Sequence, residues 1–327
     1  MFKCLLVNKD ENGYKTSITE LAEESLSQGN VSVKVLYSTL NYKDALAITG
    51  KAPVVRSFPM IPGVDFSGVV EHSESDEFKA GDKVLLNGFG VGEKHMGGLS
   101  QKAKVNSDWL IPLPEAISPL QAMSIGTAGY TAMLCIQALE KSGITPQSGK
   151  ILVTGATGGV GSFAVKLLSL MGYTVVASTG SNKQHEYLYD LGATEIIDRE
   201  ELSAQGKPLM KEKWAGAIDS IGSHTLANVC ASIQYGGAVA ACGLAQGMDL
   251  PATVAPFILR GVSLLGVDSV MRPRADRVAA WKKLAEILPA TEMESIAEVI
   301  SLESSIEVAD KLLKGEVTGR VVVDVNK

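Results

Sequence analysis

The segment 150–162 constrains the fold of this chain more than any other part of its sequence. It opens with an apolar run at 151–153, which is typical of a buried strand in a parallel sheet. Gly158 and Gly161 then stand where a dinucleotide-binding loop brings its backbone close to a pyrophosphate and packs its helix against the strand. A helix predicted over 159–171 directs its N-terminal amides toward those phosphates.

The loop departs from the usual fingerprint at its first glycine. Ala156 stands there, so the motif reads A-x-G-x-x-G. A glycine pattern alone is also compatible with an ordinary turn between a strand and a helix. The order of strand, loop and helix makes dinucleotide binding the better interpretation.

The end of the second predicted strand, 174–179, indicates which dinucleotide is bound. A fold that prefers NAD usually places Asp or Glu there, and this carboxylate binds the ribose 2′-hydroxyl. Hydroxyls and a cation follow here instead of a carboxylate: Thr179, Ser181 and Lys183. Arg199, after a third predicted strand at 195–198, is a second candidate cation. The sequence therefore predicts NADPH, although surface charge is the usual role of residues such as Lys183 and Arg199.

The composition is that of a soluble enzyme rather than a nucleic-acid-binding or membrane protein. The 327 residues leave room for two domains, and a hydrophobic content of 46% is enough for full cores. A net charge of −6 gives no electrostatic footprint for nucleic acid. The chain has no apolar run long enough to span a bilayer, and its N-terminus does not resemble a signal peptide. Scattered cysteines indicate reduced thiols in a cytoplasmic protein: Cys4, Cys135, Cys230 and Cys242.

The pattern of strands and helices divides the chain into two domains. Residues 1–120 carry short alternating segments separated by Pro and Gly, which predict a mostly β domain. From residue 121, strands alternate with helices, which is the signature of a doubly wound parallel sheet. The later elements are strands at 217–221, 237–242 and 262–267, helices at 274–288 and 304–313, and a last strand at 320–325. We expect this last strand to return to the β domain, so the predicted domains are 1–120 with 296–327, and 121–295.

Several longer segments resemble a known family along the full length of the chain. They are 40–50, 56–68, 90–93, 95–100 and 126–132. Together with the domain order, they resemble the medium-chain dehydrogenase/reductase superfamily. Within it they are most similar to the zinc-independent acrylyl-CoA reductase branch, often labelled quinone oxidoreductases of the YhdH type. The resemblance implies an α/β fold, in which a GroES-like, mostly β catalytic domain accompanies a Rossmann domain with a doubly wound parallel sheet.

The residues that would bind a catalytic zinc ion are missing from this chain. Zinc alcohol dehydrogenases have Cys-His where this chain has Asn41-Tyr42. Their Gly-His-Glu is replaced here by Gly63-Val64-Asp65. A catalytic zinc needs three protein ligands, and only Asp65 remains of that set. We therefore predict no metal, and a reaction that starts from an already polarised double bond.

The predicted reaction transfers a hydride from NADPH to the β-carbon of a short 2-enoyl-CoA, with acryloyl-CoA as the leading substrate. Negative charge develops on the thioester oxygen and requires hydrogen-bond donors, and the α-carbon takes a proton from a side chain or water. Tyr42 is the leading catalytic residue, because its hydroxyl can donate near the nicotinamide or the thioester. The alternative is a tyrosine packed at the domain junction. Asn41 orients the substrate or caps the helix that follows, and we favour the cap.

Two acidic residues near Tyr42 are assigned structural roles. Asp44 is expected to serve the first turn of the helix that follows Asn41. Asp65 is expected to hold Lys43 or Arg56 in place rather than to take part in the chemistry.

The resemblance also implies a set of cofactor contacts. They are Tyr42, Thr157, Gly158, Gly159, Val160, Gly161, Thr179, Ser181, Lys183, Arg199, Leu244 and Ser269. Arg272 or Arg274 could meet the phosphates of a CoA tail, but a solvated loop charge is the favoured interpretation of each.

The apolar run 262–267 is expected at the edge of the nucleotide-binding sheet. Because exposed edges are usually covered or paired, we predict a homodimer in which two edges join across a two-fold axis. Two alternatives to an enoyl-CoA reductase remain open. One is an NADPH-dependent quinone or enone reductase, and the other is a nucleotide-binding redox sensor or structural dimer without turnover. The intact segment around Tyr42 argues against the second.

Overall fold

The computed structural model describes residues 1–11, 13–26 and 29–327. These residues form two units. The first contains residues 1–127 and 269–327, and the second contains residues 128–268.

Strands dominate the first unit, whereas strands and helices alternate in the second. The strands, in chain order, are β1 (Phe2–Asp10), β2 (Gly13–Leu21), β3 (Val31–Leu40), β4 (Asp65–Ser73), β5 (Lys83–Asn87), β6 (Lys102–Val105), β7 (Ile111–Pro112), β8 (Lys150–Val153), β9 (Thr174–Thr179), β10 (Glu195–Asp198), β11 (Trp214–Asp219), β12 (Ile233–Ala241), β13 (Ser263–Gly266), β14 (Ala297–Ser301) and β15 (Arg320–Asp324). The helices are α1 (Tyr42–Thr49), α2 (Pro119–Lys141), α3 (Gly159–Leu170), α4 (His185–Leu191), α5 (Glu200–Ser203), α6 (Ser223–Ser232), α7 (Ala255–Arg260), α8 (Arg274–Ile287), α9 (Ala290–Ser295) and α10 (Ser305–Leu313).

The structure places residues 269–295 in the first unit, whereas the sequence pattern assigns them to the nucleotide-binding domain. Helix α8 explains the difference, because it buries Trp281 completely. The indole N–H of Trp281 donates to the Asn87 side chain at 3.1 Å, and Arg277 donates to the Asn87 carbonyl. Residues 121–127 also belong to the first unit. A helical pattern alone does not reveal on which sheet the helix packs.

The first unit is built on a sheet with the strand order β14-β15-β3-β4-β5-β7, and β6 pairs with β3. Strands β1 and β2 pair with each other in an antiparallel hairpin. Along β3, Val31, Val33 and Val35 are fully buried and alternate with more exposed residues, as a sheet with one core face requires. Strand β15 lies between β14 and β3, with Val321 opposite Leu40. The last strand therefore completes the β unit, as the sequence predicts.

The second unit contains a sheet with the strand order β10-β9-β8-β11-β12-β13, in which neighbouring strands are parallel. Numbered from its own first strand, this order is 3-2-1-4-5-6, the doubly wound order of dinucleotide-binding folds. The predicted fold class is confirmed. Ligands of such sheets bind beyond the carboxyl ends of the strands, where the strand order reverses. In this unit that point lies between β8 and β11.

Strand β11 ends two residues before the predicted end at Ile221. The reason is the carboxylate of Asp219, which accepts the backbone amide of Gly222 at 2.8 Å. A side chain that binds nearby amides in this way turns the backbone out of the strand direction. Gly222 follows the turn with a φ of 77°, a conformation that favours glycine.

Helix α2 is the only helix in the described part of the chain that is long and apolar enough to cross a membrane. However, 83% of its most apolar window is buried inside the protein. Gly126 also interrupts its helical geometry, with a φ of 51° and a ψ of −160°. We therefore describe α2 as a kinked core helix.

Candidate active site

The loop between β8 and α3 packs so tightly that sterics require one of its glycines. A Cβ atom on Gly161 would lie 2.2 Å from the carbonyl oxygen of Gly155 and 2.6 Å from the Cα of Ala156. A Cβ on Gly158 would meet the same Gly155 oxygen at 3.4 Å, which is an ordinary contact. Gly161 therefore lets the first turn of α3 approach the end of β8, whereas Gly158 is not required by contacts within the protein.

The N-terminus of α3 offers free amides to an anion. Gly158 occupies the N-cap in an extended conformation, and, having no side chain, it leaves the helix without a side-chain cap. Thr157, Gly159 and Val160 keep accessible surface, whereas Gly161 is buried. Uncapped, accessible amides at the positive end of a helix dipole attract phosphate. This loop therefore fits the pyrophosphate of a dinucleotide.

The buried carboxylate of Asp219, which the sequence pattern does not mark as a site residue, is hydrogen-bonded to the start of this loop. The hydroxyl of Thr154 donates to Asp219 at 2.7 Å, and the amide of Ser220 donates back to the Thr154 hydroxyl at 3.2 Å. Burial raises the pKa of Asp219, while hydrogen bonds from Thr154, Gly222 and Ile221 oppose the increase. The ends of β8 and β11 are thereby tied together at the point where the strand order reverses.

The predicted 2′-phosphate residues gather around the turn after β9. The amide of Arg199 donates to the Thr179 carbonyl at 3.0 Å, and the amide of Ser181 donates to the Thr179 hydroxyl at 3.2 Å. The guanidinium of Arg199 lies against Gly180, since a Cβ there would be 2.4 Å from its Nε. Lys183 is exposed in the following short 3-10 turn. Two hydroxyls and two cations thus stand where an NAD-preferring fold carries an acid.

The remaining predicted cofactor contacts fall in different places. The glycine loop neighbours the turn after β9, because the amide of Ala156 donates to the Ser178 carbonyl at 3.2 Å. Leu244 follows β12 at the same carboxyl end of the sheet and is 58% exposed. Ser269 belongs to the first unit, where its carbonyl accepts a hydrogen bond from Arg277 at 3.1 Å.

In the first unit, helix α1 presents the predicted catalytic tyrosine at its first position. Tyr42 is 49% exposed, so it is not a core tyrosine of its own unit. Asn41 precedes it at the N-cap in an extended conformation and forms a capping box with Asp44. The backbone amide of Asn41 donates to the Asp44 carboxylate at 2.8 Å. The predicted helix cap and the role of Asp44 in the first turn are confirmed.

The prediction that Asp65 holds Lys43 or Arg56 is wrong. Asp65 is fully buried at the start of β4, where it accepts the Thr39 hydroxyl at 2.5 Å. Lys43 pairs instead with Glu93, and the side chain of Arg56 is exposed. Both cations lie nearer the surface than Asp65, because desolvating an ammonium or a guanidinium is costly.

A buried arginine far along the sequence completes this region. Arg320, at the start of β15, donates through Nη1 to the side-chain oxygen of Asn41 at 3.0 Å. Its Nη2 lies against Gly126, where a Cβ would be only 2.5 Å away. Within the described residues, Nε and Nη2 of Arg320 have no hydrogen-bond partner. We call the group the Asn41 cluster; its members are Thr39, Asn41, Asp44, Asp65 and Arg320.

The charges of the Asn41 cluster perturb one another because solvent is excluded. Burial raises the pKa of Asp44 to about 7, and the neighbouring Asp65 raises it as well. Burial lowers the pKa of the Arg320 guanidinium, whereas the two carboxylates act in the opposite direction. In the sequence, Arg320 is recognisable only as the first residue of a predicted strand. No local signal marks a residue whose partner is 279 positions away.

The two arginines considered for a CoA tail are already engaged within the first unit. Arg274 pairs with Glu77 and donates to the Leu110 carbonyl at 2.9 Å. The Nε of Arg272, just before α8, lies 2.8 Å from the carboxylate of Asp276 in the first turn of that helix. The favoured interpretation of each as a solvated loop charge is therefore wrong for Arg274, which begins α8 and is held by Glu77 and Leu110, and Arg272 is only partly exposed.

Among residues 1–11, 13–26 and 29–327, no three His, Cys, Asp or Glu side chains lie close enough together to hold a metal ion. At the positions compared above with zinc alcohol dehydrogenases, this chain has Asn41, Tyr42, Val64 and Asp65, of which only Asp65 carries a group that binds zinc. The nearby carboxylate of Asp44 accepts the amides of Asn41 and Val64.

Two family models match the chain. The alcohol dehydrogenase GroES-like domain matches residues 27–115, and the zinc-binding dehydrogenase domain matches residues 159–288. The first match lies in the β unit and confirms its predicted GroES-like character. The second begins at the first residue of α3.

Full-length relatives narrow the family further. The chain is 50% identical to the acrylyl-CoA reductase AcuI of Ruegeria pomeroyi, with 100% of both chains covered. The crystal structure of Escherichia coli K-12 YhdH with bound NADPH is 51% identical and has a TM-score of 0.97, over 99% of this chain and 100% of that one. The crystal structure of Bacillus subtilis YhfP with NAD bound is 43% identical, with a TM-score of 0.95 over 99% of both chains. The chain therefore belongs to the medium-chain dehydrogenase/reductase superfamily, in the group that contains AcuI and YhdH.

Proposed function

We propose that this protein uses NADPH to reduce the carbon–carbon double bond of a short 2-enoyl-CoA, with acryloyl-CoA to propanoyl-CoA as the leading reaction. The observation that carries the proposal is the 50% identity over the full length of a protein named acrylyl-CoA reductase. The residues around Tyr42 support it, since they carry a hydroxyl and an amide where zinc enzymes carry metal ligands.

The second unit would hold the cofactor. The free amides at Gly159 and Val160 would bind its pyrophosphate beside Gly158, while Thr179, Ser181, Lys183 and Arg199 would receive the 2′-phosphate. Thr157 and Leu244 would flank it, with Gly161 shaping the loop. When bound, NADPH supplies a hydride. This assignment agrees with the NADPH bound to YhdH, whereas YhfP was crystallised with NAD.

The first unit would act on the thioester. The hydroxyl of Tyr42 would donate a hydrogen bond to the thioester oxygen, where negative charge develops after hydride transfer. Asn41 would hold Tyr42 at the start of α1 as well as cap that helix. Ser269 would add a contact to the cofactor from the same unit. The proton at the α-carbon would come from Tyr42 or from water.

The deciding experiment follows the absorbance of NADPH with acryloyl-CoA, crotonoyl-CoA and a benzoquinone in parallel, and repeats each with NADH. We expect rapid oxidation of NADPH with acryloyl-CoA and much slower oxidation of NADH. Turnover of the quinone without turnover of either thioester would replace the proposal by a quinone reductase. Binding of NADPH without oxidation by any of the three substrates would point to a nucleotide sensor. Equal rates with NADH would overturn only the assignment of the cofactor.

We also infer a cytoplasmic homodimer. Strand β13 occupies the edge of the second unit's sheet, and Ile258 and Leu259 on α7, the helix that precedes β13 in the chain, are largely exposed. Pairing of two such edges would cover both the strand and these side chains. A monomer mass in light scattering at micromolar concentration would exclude this assembly.

A further inference from the structure

The Asn41 cluster contains more charge than a helix cap requires. A cap at the start of α1 needs only Asn41 and Asp44, which satisfy each other locally. Asp65 and Arg320 come from β4 and β15, and both are buried. Buried ion groups are weak contributors to stability, because the loss of hydration offsets their attraction. Their presence beside the cap therefore calls for a reason other than stability.

The side chain of Asn41 is held from four elements at once. Its Nδ2 lies 2.9 Å from the hydroxyl of Thr39 on β3, 3.1 Å from the carboxylate of Asp44 on α1, and 3.2 Å from that of Asp65 on β4. Its Oδ1 accepts the guanidinium of Arg320 on β15 at 3.0 Å. Acceptors surround the amide nitrogen and a cation faces the amide oxygen, so the orientation of this amide is fixed by charge.

The consequence falls on the next residue in the chain. Tyr42 follows Asn41 directly as the first residue of α1, and its side chain is half exposed. Because Tyr42 is bonded directly to Asn41, the backbone conformation at Asn41 sets where α1 begins and in which direction the Tyr42 side chain leaves it. A displacement of about 1 Å at a catalytic group can cost on the order of a hundredfold in rate.

We propose that Asp65 and Arg320 are positioning residues for Tyr42, which they act on through the side chain of Asn41. The inference rests on the proposed function, in which Tyr42 contacts the substrate. Asp65 holds the nitrogen side of the amide, while Arg320 holds the oxygen side. Within the described residues, Nε and Nη2 of Arg320 are without partners, which agrees with a guanidinium placed for one acceptor rather than for its own full satisfaction.

A double-mutant cycle tests the coupling. Asp65→Asn keeps the shape of the side chain, and we expect it to lower kcat with acryloyl-CoA on the order of tenfold to a hundredfold while leaving the KM for NADPH unchanged. In a Tyr42→Phe background, the same change should alter kcat by less than about twofold. Equal losses in both backgrounds, or no loss in either, would overturn the proposal. Asp310→Asn is the matched control, because Asp310 is an exposed partner of Lys51 in the same unit.

A second measurement is independent of the reaction. With 3-fluorotyrosine at position 42, we expect the fluorine NMR resonance to shift or broaden in Asp65→Asn and in Arg320→Lys, but not in Asp310→Asn. Arg320→Lys keeps the charge and loses the planar fork, and it replaces Asp65→Asn in both measurements if that variant does not fold. An unmoved resonance in a folded variant would refute the positioning role. Failure to turn over any enoyl-CoA would refute the proposed function instead, so the two results are distinguishable.

Discussion

The two glycines of the loop after β8 should respond in opposite ways to the same substitution. Gly161→Ala places a methyl group 2.2 Å from the Gly155 carbonyl oxygen, where ordinary contacts begin near 3.4 Å. The loop or the first turn of α3 must therefore move by more than an ångström. Gly158→Ala meets that oxygen at 3.4 Å and needs no movement. Its backbone is already extended, with a φ of −79° that alanine adopts readily.

The expected costs follow from these distances. Overpacking against backbone atoms costs about 1–3 kcal/mol, and Gly161→Ala belongs at the upper end because a carbonyl cannot swing aside like a flexible side chain. At roughly 4 °C per kcal/mol for a domain of this size, the Tm of the free protein should fall by about 10 °C. In Gly158→Ala, the poorer N-cap residue lowers the stability of the folded protein, whereas the lower entropy of the unfolded chain raises it. Each effect is below about 1 kcal/mol, so the Tm should stay within about 4 °C of that of the unmodified protein.

Gly158→Ala, which should leave the Tm almost unchanged, is expected to weaken the binding of NADPH. A methyl group on Gly158 would stand where the pyrophosphate approaches the helix, so we expect the Kd for NADPH to rise roughly tenfold to a hundredfold. Thermal melts without cofactor and calorimetric titration with NADPH measure the two quantities. The steric reasoning is refuted if Gly158→Ala lowers the Tm as much as Gly161→Ala does. It is refuted equally if Gly161→Ala melts at the original temperature.

Three further predictions concern charge and the catalytic hydroxyl. Arg199→Ala should raise the KM for NADPH on the order of tenfold to a hundredfold and leave the KM for NADH unchanged, because a hydrogen bond to a charged group contributes about 1.5–3 kcal/mol. If the ratio of the two KM values in steady-state assays is the same as in the unmodified protein, Arg199 does not bind the 2′-phosphate. Tyr42→Phe should lower kcat with acryloyl-CoA roughly a hundredfold or more without changing the KM for NADPH, as expected for a lost oxyanion donor, and a wild-type kcat would exclude this role. The pKa of Asp44 is about 7 in the folded protein and about 3.9 when unfolded, so ionisation is disfavoured in the fold and the protein loses stability as the pH rises between these values. Asp44→Asn has no carboxyl group to ionise at this position. The free energy of unfolding of the variant minus that of the unmodified protein should therefore increase by up to roughly 4 kcal/mol from pH 4 to pH 7 and then stay constant. Urea denaturation that gives the same difference at every pH would contradict the raised pKa of Asp44.

The sequence predicts the second unit well because its signals are local. A strand such as β9 is recognisable from a short apolar run, and the alternation with helices is enough to predict a doubly wound sheet. The turn that we propose for the 2′-phosphate follows the end of that strand directly. The observed bounds of β11 differ from the predicted ones, because the side chain of Asp219 turns the backbone before the apolar pattern ends.

The Asn41 cluster is beyond such prediction because its contacts are long-range. Asp65 could have paired with Lys43 or Arg56, which are near in sequence, and the local pattern favours neither outcome. Its carboxylate instead accepts the Thr39 hydroxyl and the Thr127 amide, while β15 pairs with β3 and brings Arg320 beside Asn41. The placement of α8 is similar, since Trp281 finds its partner Asn87 194 positions earlier.

The position of β15 has a consequence for how the protein forms on the ribosome. Arg320 is synthesised 279 residues after Asn41, which at about 5–20 residues per second is a delay of roughly 15–60 seconds. Residues 128–268 emerge within that interval, so the second unit can fold while the first still lacks the strand between β14 and β3. During that time Asp44 and Asp65 have no guanidinium to face, and they remain hydrated. The charged groups of the Asn41 cluster can therefore come together and become buried only late in synthesis, after the whole of the second unit has been made.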